Sequence, residues 1–228
     1  MVIGISGRLG SGKDTVGEII QYLTLPGERG EYIGFQTYDN TTLERNSTFK
    51  IKKFAGKLKT IASLLTGIPV ERFEDQEFKK QYMELEWEMT YREFLQKLGT
   101  EAMREGLHKN VWVNALFADY KCEHEIIFDS QRTNNPLQPK EVTNELLQYP
   151  NWILTDMRFP NEMEAVELRE GITIRVNRNN GTRAIDVNPH PSETALDDAK
   201  FDYVIDNDGT LDELVEKVRV ILTKEKII

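Results

Sequence analysis

Residues 1–15 read MVIGISGRLGSGKDT, and this stretch decides the fold. Val2, Ile3 and Ile5 form a short apolar run of the kind that becomes a buried strand. Gly7, Gly10 and Gly12 then leave bare backbone and Lys13 follows. From Thr15 onward Val16, Ile19, Ile20 and Leu23 recur at helical spacing. Strand, glycine loop, lysine and helix in that order are the layout of a phosphate-binding P-loop. Glycines let successive N–H groups turn toward one anion, the helix N-terminus adds partial positive charge, and the lysine reaches the outer phosphates. The expected ligand is a nucleoside triphosphate, held by Gly10, Ser11, Gly12, Lys13, Asp14 and Thr15. In the general pattern a Ser or Thr follows the lysine and ligates Mg²⁺. Asp14 stands there instead, with Thr15 next. A carboxylate holds Mg²⁺ directly or through water, so the metal's shell changes without being abolished.

Composition narrows the class. A chain of 228 residues with 39% hydrophobic and 29% charged residues can bury a sizeable core. No apolar run approaches the ~20 residues of a membrane helix, and an N-terminus read as a core strand predicts no signal peptide. Cys122 is the single cysteine, which excludes an internal disulfide and points to a reducing, cytoplasmic setting. A net charge of −9 argues against polymeric nucleic acid as a partner but not against nucleotides, which a local cluster of Arg and Lys can bind. His108, His124 and His190 lie far apart in sequence and show no zinc-ligand spacing.

Outward from the loop, the pattern predicts strands at 51–54, 126–128, 152–155, 172–176 and 201–205, with a weak one at 32–35 inside a loop over 26–47. Helices are expected at 56–65, with Leu58, Ile61, Ala62 and Leu65 inward, and at 110–120, 161–169 and 211–222. Thr90 and Glu93 spell a capping box for a helix with Tyr91, Phe94, Leu95, Leu98 and Ala102 on its apolar face. On that helix Arg92, Gln96, Thr100 and Arg104 recur every fourth residue, drifting only about 40° per step, and make a polar stripe. Periodicity alone favours a solvated face. Residues 71–88 read as a charged helical lobe, and 142–147 as a short helix. Together these predict one α/β domain, with about five mostly parallel strands and helices on both faces. The core is 1–25, 50–70 and 150–228, with a helical acceptor-binding region at 71–122, an insertion of unassigned role at 123–150 and a lid-like loop at 177–200.

In such a sheet ligands gather at the carboxyl ends of the strands, so Asp156 should face the P-loop as a second Mg²⁺ group. A turn or capping role is its plain alternative. Arg158 is two residues away and reads either as a pocket residue or as an ion-pair partner of Glu162 or Glu164. Arg178 and Arg183, in RNNGTR, suit a lid that closes over transferring phosphates as readily as a solvated loop. A nucleoside monophosphate acceptor brings its own nucleophile, since its phosphate is largely ionised near pH 7. Such a reaction needs charge neutralisation and alignment rather than a general base. Lys59, Arg92, Arg104, Arg158, Arg178 and Arg183 could supply that charge. A hydroxyl acceptor, with Asp156 as base, stays open at this level.

Several further blocks fall in order along the chain: FAGKLK at 54–59, YREFLQKLGTEAMR at 91–104, VWVNALFADY at 111–120, TDMRFPNEMEAV at 155–166, HPSETALD at 190–197 and VIDNDGTLDEL at 204–214. With GRLGSGKDT at 7–15, this set resembles the phage-type deoxynucleoside monophosphate kinases, including that family's own GKDT loop. The resemblance implies phosphoryl transfer from ATP with Mg²⁺ to a 5′-deoxynucleotide in the cytoplasm. Lys13, Arg158, Arg178 and Arg183 are the candidate catalytic residues, the last two falling in the family's lid region, and Asp14, Thr15 and Asp156 are the candidate Mg²⁺ groups. By the resemblance the acceptor would face Lys59, Arg92, Gln96, Thr100 and Arg158, with Asn207, Asp208 and Gly209 near the donor base; Arg104 and Asp156 join the candidate acceptor set from their own placement. The resemblance also turns the stripe at 92–104 from surface into pocket wall. Alternatives are a P-loop kinase for another phosphate acceptor, phosphomevalonate-like or dephospho-coenzyme-A-like, and a nucleotide-binding switch without transferase activity. Association as a homodimer is left open.

Overall fold

The computed structural model describes residues 1–26, 34–84, 87–128, 142–178 and 194–228. Five parallel strands make the central sheet: β1 (Val2–Gly7), β2 (Phe49–Lys52), β5 (Asn151–Leu154), β6 (Ile172–Asn177) and β7 (Tyr203–Asp206), in the order β2-β5-β1-β6-β7. Strand β1 lies at the centre, with Ile3 opposite Ile153 on one side and Ile172 on the other. Both of its faces are buried, which is why its sequence is a continuous apolar run rather than an alternating one.

Helix α1 (Lys13–Leu23) and the last helix, α8 (Leu211–Lys224), cover one face. Val16, Ile19, Ile20 and Leu23 pack there with Leu214, Val218 and Leu222. Helices α6 (Val111–Phe117) and α7 (Pro160–Glu167) cover the other face, where Val166 of α7 packs with Trp152, Leu154 and Met157. A third cluster belongs to the helical lobe: Ala62, Phe73, Phe78, Met83, Tyr91 and Phe94. It joins α3 (Gly56–Thr66), a 3₁₀ turn at Val70–Phe73, α4 (Gln76–Lys79) and α5 (Tyr91–Gln96). The capping box is present: Glu93 N–H bonds Thr90 Oγ1 at 3.2 Å, and Thr90 N–H bonds Glu93 Oε2 at 2.7 Å. Beyond Gln96 the helix widens into a π-helical segment, Lys97–Glu105.

Four local expectations are corrected. Residues 142–147 form a strand, β4 (Val142–Gln148), paired antiparallel with β3 (Glu123–Phe128) in a sheet of its own. The helix-forming Glu145, Leu146 and Leu147 are overridden by that pairing. Within the expected loop at 26–47 lies α2 (Asn40–Asn46), whose first turn is held by Thr42 N–H donating to Asp39 Oδ1 at 2.6 Å and whose Leu43 is buried. Thr41 and Thr42 are weak helix formers, so the cap and one buried leucine decide there, not propensity. Of the weak strand at 32–35, Tyr32 and Ile33 lie outside the described residues, and Phe35 opens a 3₁₀ turn, Phe35–Thr37. Leu65 and Ala102 face solvent, because α3 ends one residue past Leu65 and Ala102 sits in the wider π turn.

Gly17 lets α1 sit directly on β5. A Cβ there would stand 2.6 Å from the Thr155 methyl, and Thr155 is fully buried. Gly17→Ala gains at most about 1 kcal/mol of helix propensity but meets a β-branched neighbour with little room to yield, an overpacking cost of about 1–3 kcal/mol. Urea unfolding should therefore show a net loss of stability; a gain would contradict the close approach of α1 and β5.

Candidate active site

The loop after β1 carries two residues with positive φ, Gly10 at 79° and Gly12 at 95°. Residues with a side chain are strained there. Ser11 N–H closes the turn on Arg8 C=O at 3.1 Å, and α1 begins at Lys13 with its first N–H groups lacking intrahelical partners. Asn207, expected near the donor base, props this loop from behind: its Nδ2 donates to Ser11 C=O at 2.9 Å, and its own N–H bonds Asn177 C=O at 2.8 Å. Gly209 precedes Thr210, whose capping box with Glu213 starts α8. Asp197, within the 190–197 block, bonds Arg8 at 2.7 Å and Arg175 at 2.6 Å, joining the chain before β7 to the glycine loop.

Beside the loop lies a cleft of about 260 Å³ between the sheet and the helical lobe. Lys13 and Asp14 line it at one end, and Asp156 and Arg158 line it from the end of β5. From the lobe come Lys59, Arg92, Gln96, Thr100 and Arg104. All four stripe residues therefore face one cavity. Three lysines complete the lining with Lys13: Lys53 and Lys79, which sequence reasoning missed, and Lys59. Seven basic side chains, those four lysines with Arg92, Arg104 and Arg158, meet four carboxylates, Asp14, Glu74, Asp156 and Glu162. In a chain of net charge −9 this is a concentrated positive field. Leu9, Phe54, Leu58, Leu95 and Trp112 give the same cleft apolar wall.

The carboxylates hold this charge in place. Asp156 accepts Phe54 N–H at 2.8 Å and Ala55 N–H at 3.0 Å, one on each oxygen, and so ties the start of α3 to the end of β5. It caps a turn, though of another element than the helix that follows it in sequence. Asp14 accepts from Thr155 Oγ1 at 2.8 Å and stands 3.5 Å from Lys53 Nζ, which bridges to Glu74 at 3.9 Å. Glu74 also takes Lys59, which keeps its carboxyl below the usual range against its burial. Glu162, rather than pairing with Arg158's side chain through its own, accepts Arg158 N–H at 2.7 Å, Phe159 N–H at 3.1 Å and Arg104 Nη2 at 2.8 Å.

Arg104 is thus largely committed. Besides Glu162 it reaches Asn161 Oδ1 at 3.2 Å and stacks on the Phe159 ring at 3.8 Å. Arg92 meets only a neutral partner among the described residues, Gln76 Oε1 at 3.1 Å. Trp112 Nε1–H donates to Gly99 C=O at 2.8 Å and pins the π segment to α6. Bonds five residues apart, such as His108 N–H to Met103 C=O at 3.0 Å, mark the widened winding that brings Arg104 onto Glu162. Of the lid arginines, Arg178 is exposed just past β6, and Arg183 lies outside the described residues.

As to a metal, no cluster of three or more His, Cys, Asp or Glu suited to holding one occurs among the described residues. The fit rests on hard oxygen: Asp14, half-exposed at the cleft mouth, with Thr15 beside it. Mg²⁺ needs one or two such ligands when substrate phosphates supply the rest.

Glycine loop, lysine, parallel sheet and cationic cleft define a P-loop nucleotide kinase. The model of the deoxynucleotide monophosphate kinase family matches residues 27–218, most of the chain, and the protein belongs to that family. The glycine loop precedes the matched span, so the two lines of evidence are independent. No curated protein matches the chain. The protein is an enzyme that phosphorylates deoxynucleoside monophosphates at the expense of ATP. The phosphomevalonate-like and dephospho-coenzyme-A-like acceptors and the non-catalytic switch are thereby set aside.

Glu162 is 2% exposed, and burial pushes its carboxyl up to about 7 against the pull of its hydrogen bonds. A raised folded-state value means that its contribution to stability is full below its ordinary 4.5 and is lost as pH rises through about 7. Arg104→Ala removes the counter-charge and should destabilise by about 3–5 kcal/mol when the carboxylate stays ionised. The loss should be smaller at pH 6 than at pH 8, because protonation relieves the orphaned charge. Denaturant unfolding at both pH values checks this; a pH-independent loss would contradict the pairing.

Proposed function

We propose that the cleft is the acceptor seat and that the glycine loop beside it holds the ATP phosphates. What carries this reading is the cluster of half-buried cations, lined on one side by apolar residues, directly against Lys13. Gly10 to Thr15 would wrap the β- and γ-phosphates with backbone N–H groups and the α1 N-terminus. Lys13 would neutralise charge that develops as the γ-phosphoryl moves. Arg92, Arg158 and Lys59 would grip the acceptor's 5′-phosphate, while the base lies on Leu58, Leu95 and Trp112 with Gln96 and Thr100 at its edge.

The reacting oxygen belongs to the acceptor phosphate and is already ionised, so no side chain is assigned as general base. Asp156 is a positioning residue in this scheme: by fixing the Phe54–Ala55 turn it sets where Lys59 enters the cleft. Asp14 and Thr15, with Asp156 through water, would hold Mg²⁺, which when bound supplies charge neutralisation between the phosphates. Arg178 and Arg183 would act from the lid, a role supported by their place in a Gly/Asn-rich loop after β6. We take the enzyme to work in the cytoplasm, a reading supported by its lone cysteine.

Two kinetic outcomes test the assignment. Lys13→Ala should lower kcat by roughly 10²–10³ with the fold intact by circular dichroism. Arg92→Ala should raise KM for the deoxynucleotide roughly ten- to a hundredfold, since hydrogen bonds to charged groups contribute about 1.5–3 kcal/mol, and leave KM for ATP nearly unchanged. Equal effects on both Michaelis constants would sink the division into two seats.

A further inference from the structure

We infer that Lys79 is an additional phosphate-gripping residue of the acceptor seat, one whose ammonium gains its counter-ion only when the deoxynucleotide arrives. The inference rests on the reading of the cleft as the acceptor seat. Lys79 ends α4 and lines the cleft. Its helix is fixed: neighbouring Phe78 is buried and stacks on Tyr91 at 4.2 Å between ring centroids. The amine is therefore delivered by a packed element rather than by a loose loop.

Its surroundings are unusual for a half-buried lysine. Among the described residues its side chain has no hydrogen bond and no ion pair. The groups facing it are Lys59 from α3, Arg92 from α5, Arg158 from beyond β5 and, as the sole carboxylate, Glu74. Glu74 is already taken by Lys59 and Lys53. Desolvation, with Lys59 and Arg92 adding to it, pushes the Lys79 ammonium down to about 8. A cation kept among cations with no acceptor has an incomplete environment, and an acceptor phosphate dianion would complete it. Binding the dianion favours the charged amine, so near and above pH 8 the neutral amine takes one proton from solvent and becomes the ammonium. The acceptor phosphate, with its second pKa about 6, is fully ionised there and takes up none itself.

Calorimetric titration of each of the four 5′-deoxynucleoside monophosphates into the whole enzyme, without ATP, at pH 8.5 in two buffers of different ionisation enthalpy, reads this directly. The wild type should take up a proton, up to about one per nucleotide bound. Lys79→Gln should lose the uptake and bind about tenfold or more weakly. Lys79→Arg, permanently charged, should bind well yet show no uptake. Uptake persisting in both variants, or unchanged affinity in Lys79→Gln, would overturn the role of Lys79 while leaving the acceptor seat standing. Failure of all four nucleotides to bind the wild type would overturn the seat, and this inference with it.

Discussion

Like charges do not share a half-buried cleft without compensation. Two unit charges about 6 Å apart, at an effective dielectric near 20, repel by roughly 3 kcal/mol, and the cleft beside the glycine loop collects seven cations. The fold keeps them there by placing buried or constrained carboxylates among them: Glu162 for Arg104, Glu74 for Lys59 and Lys53, and Asp14 for Lys53. The compensation is partial by construction. Arg92 has a neutral partner, and Lys79 has none among the described residues. Residual positive charge in a constrained cavity is what recognition of a phosphate requires, because the anion then replaces repulsion with attraction.

The carboxylates also join the two halves of the molecule. Asp156 stands just beyond a strand of the sheet but spends its oxygens on backbone of the turn that opens the helical lobe. Thr155, beside it, bonds Asp14 at the start of α1. Glycine loop, β5 and lobe are therefore linked through two adjacent residues. Under the proposed assignment, the distance between donor and acceptor seats is set by these short polar bonds rather than by remote packing. Glu162 plays the matching part at the far wall, where α7 meets the π segment through Arg104.

Much of this was legible in the sequence, for identifiable reasons. The parallel sheet showed because strands buried on both faces are continuous apolar runs, and the glycine loop showed because its spacing has one physical use. Arg92, Gln96, Thr100 and Arg104 could be aligned on one helix face, but periodicity alone assigned that face to solvent. The resemblance to a kinase family is what turned it inward, and the cleft contains all four. Hidden from the sequence were the long-range polar bonds. Nothing near Asp156 announces that it caps a turn a hundred residues earlier. Lys53 and Lys79 look like surface lysines until the lobe folds over them. β3 agrees with the strand expected at 126–128, but β4 departs from its expectation for a related reason: strand pairing is non-local, whereas the residues of β4 locally favour a helix.

The central claim is that the cation cluster exists to receive a monophosphate opposite a triphosphate on the glycine loop. A crystal structure of the enzyme with a deoxynucleoside monophosphate and a non-hydrolysable ATP analogue tests it most directly. The account predicts the acceptor's phosphate within hydrogen-bond reach of Arg92 and Arg158, with the triphosphate wrapped by Gly10 to Thr15. A monophosphate bound elsewhere, with the cleft holding only water, would contradict it.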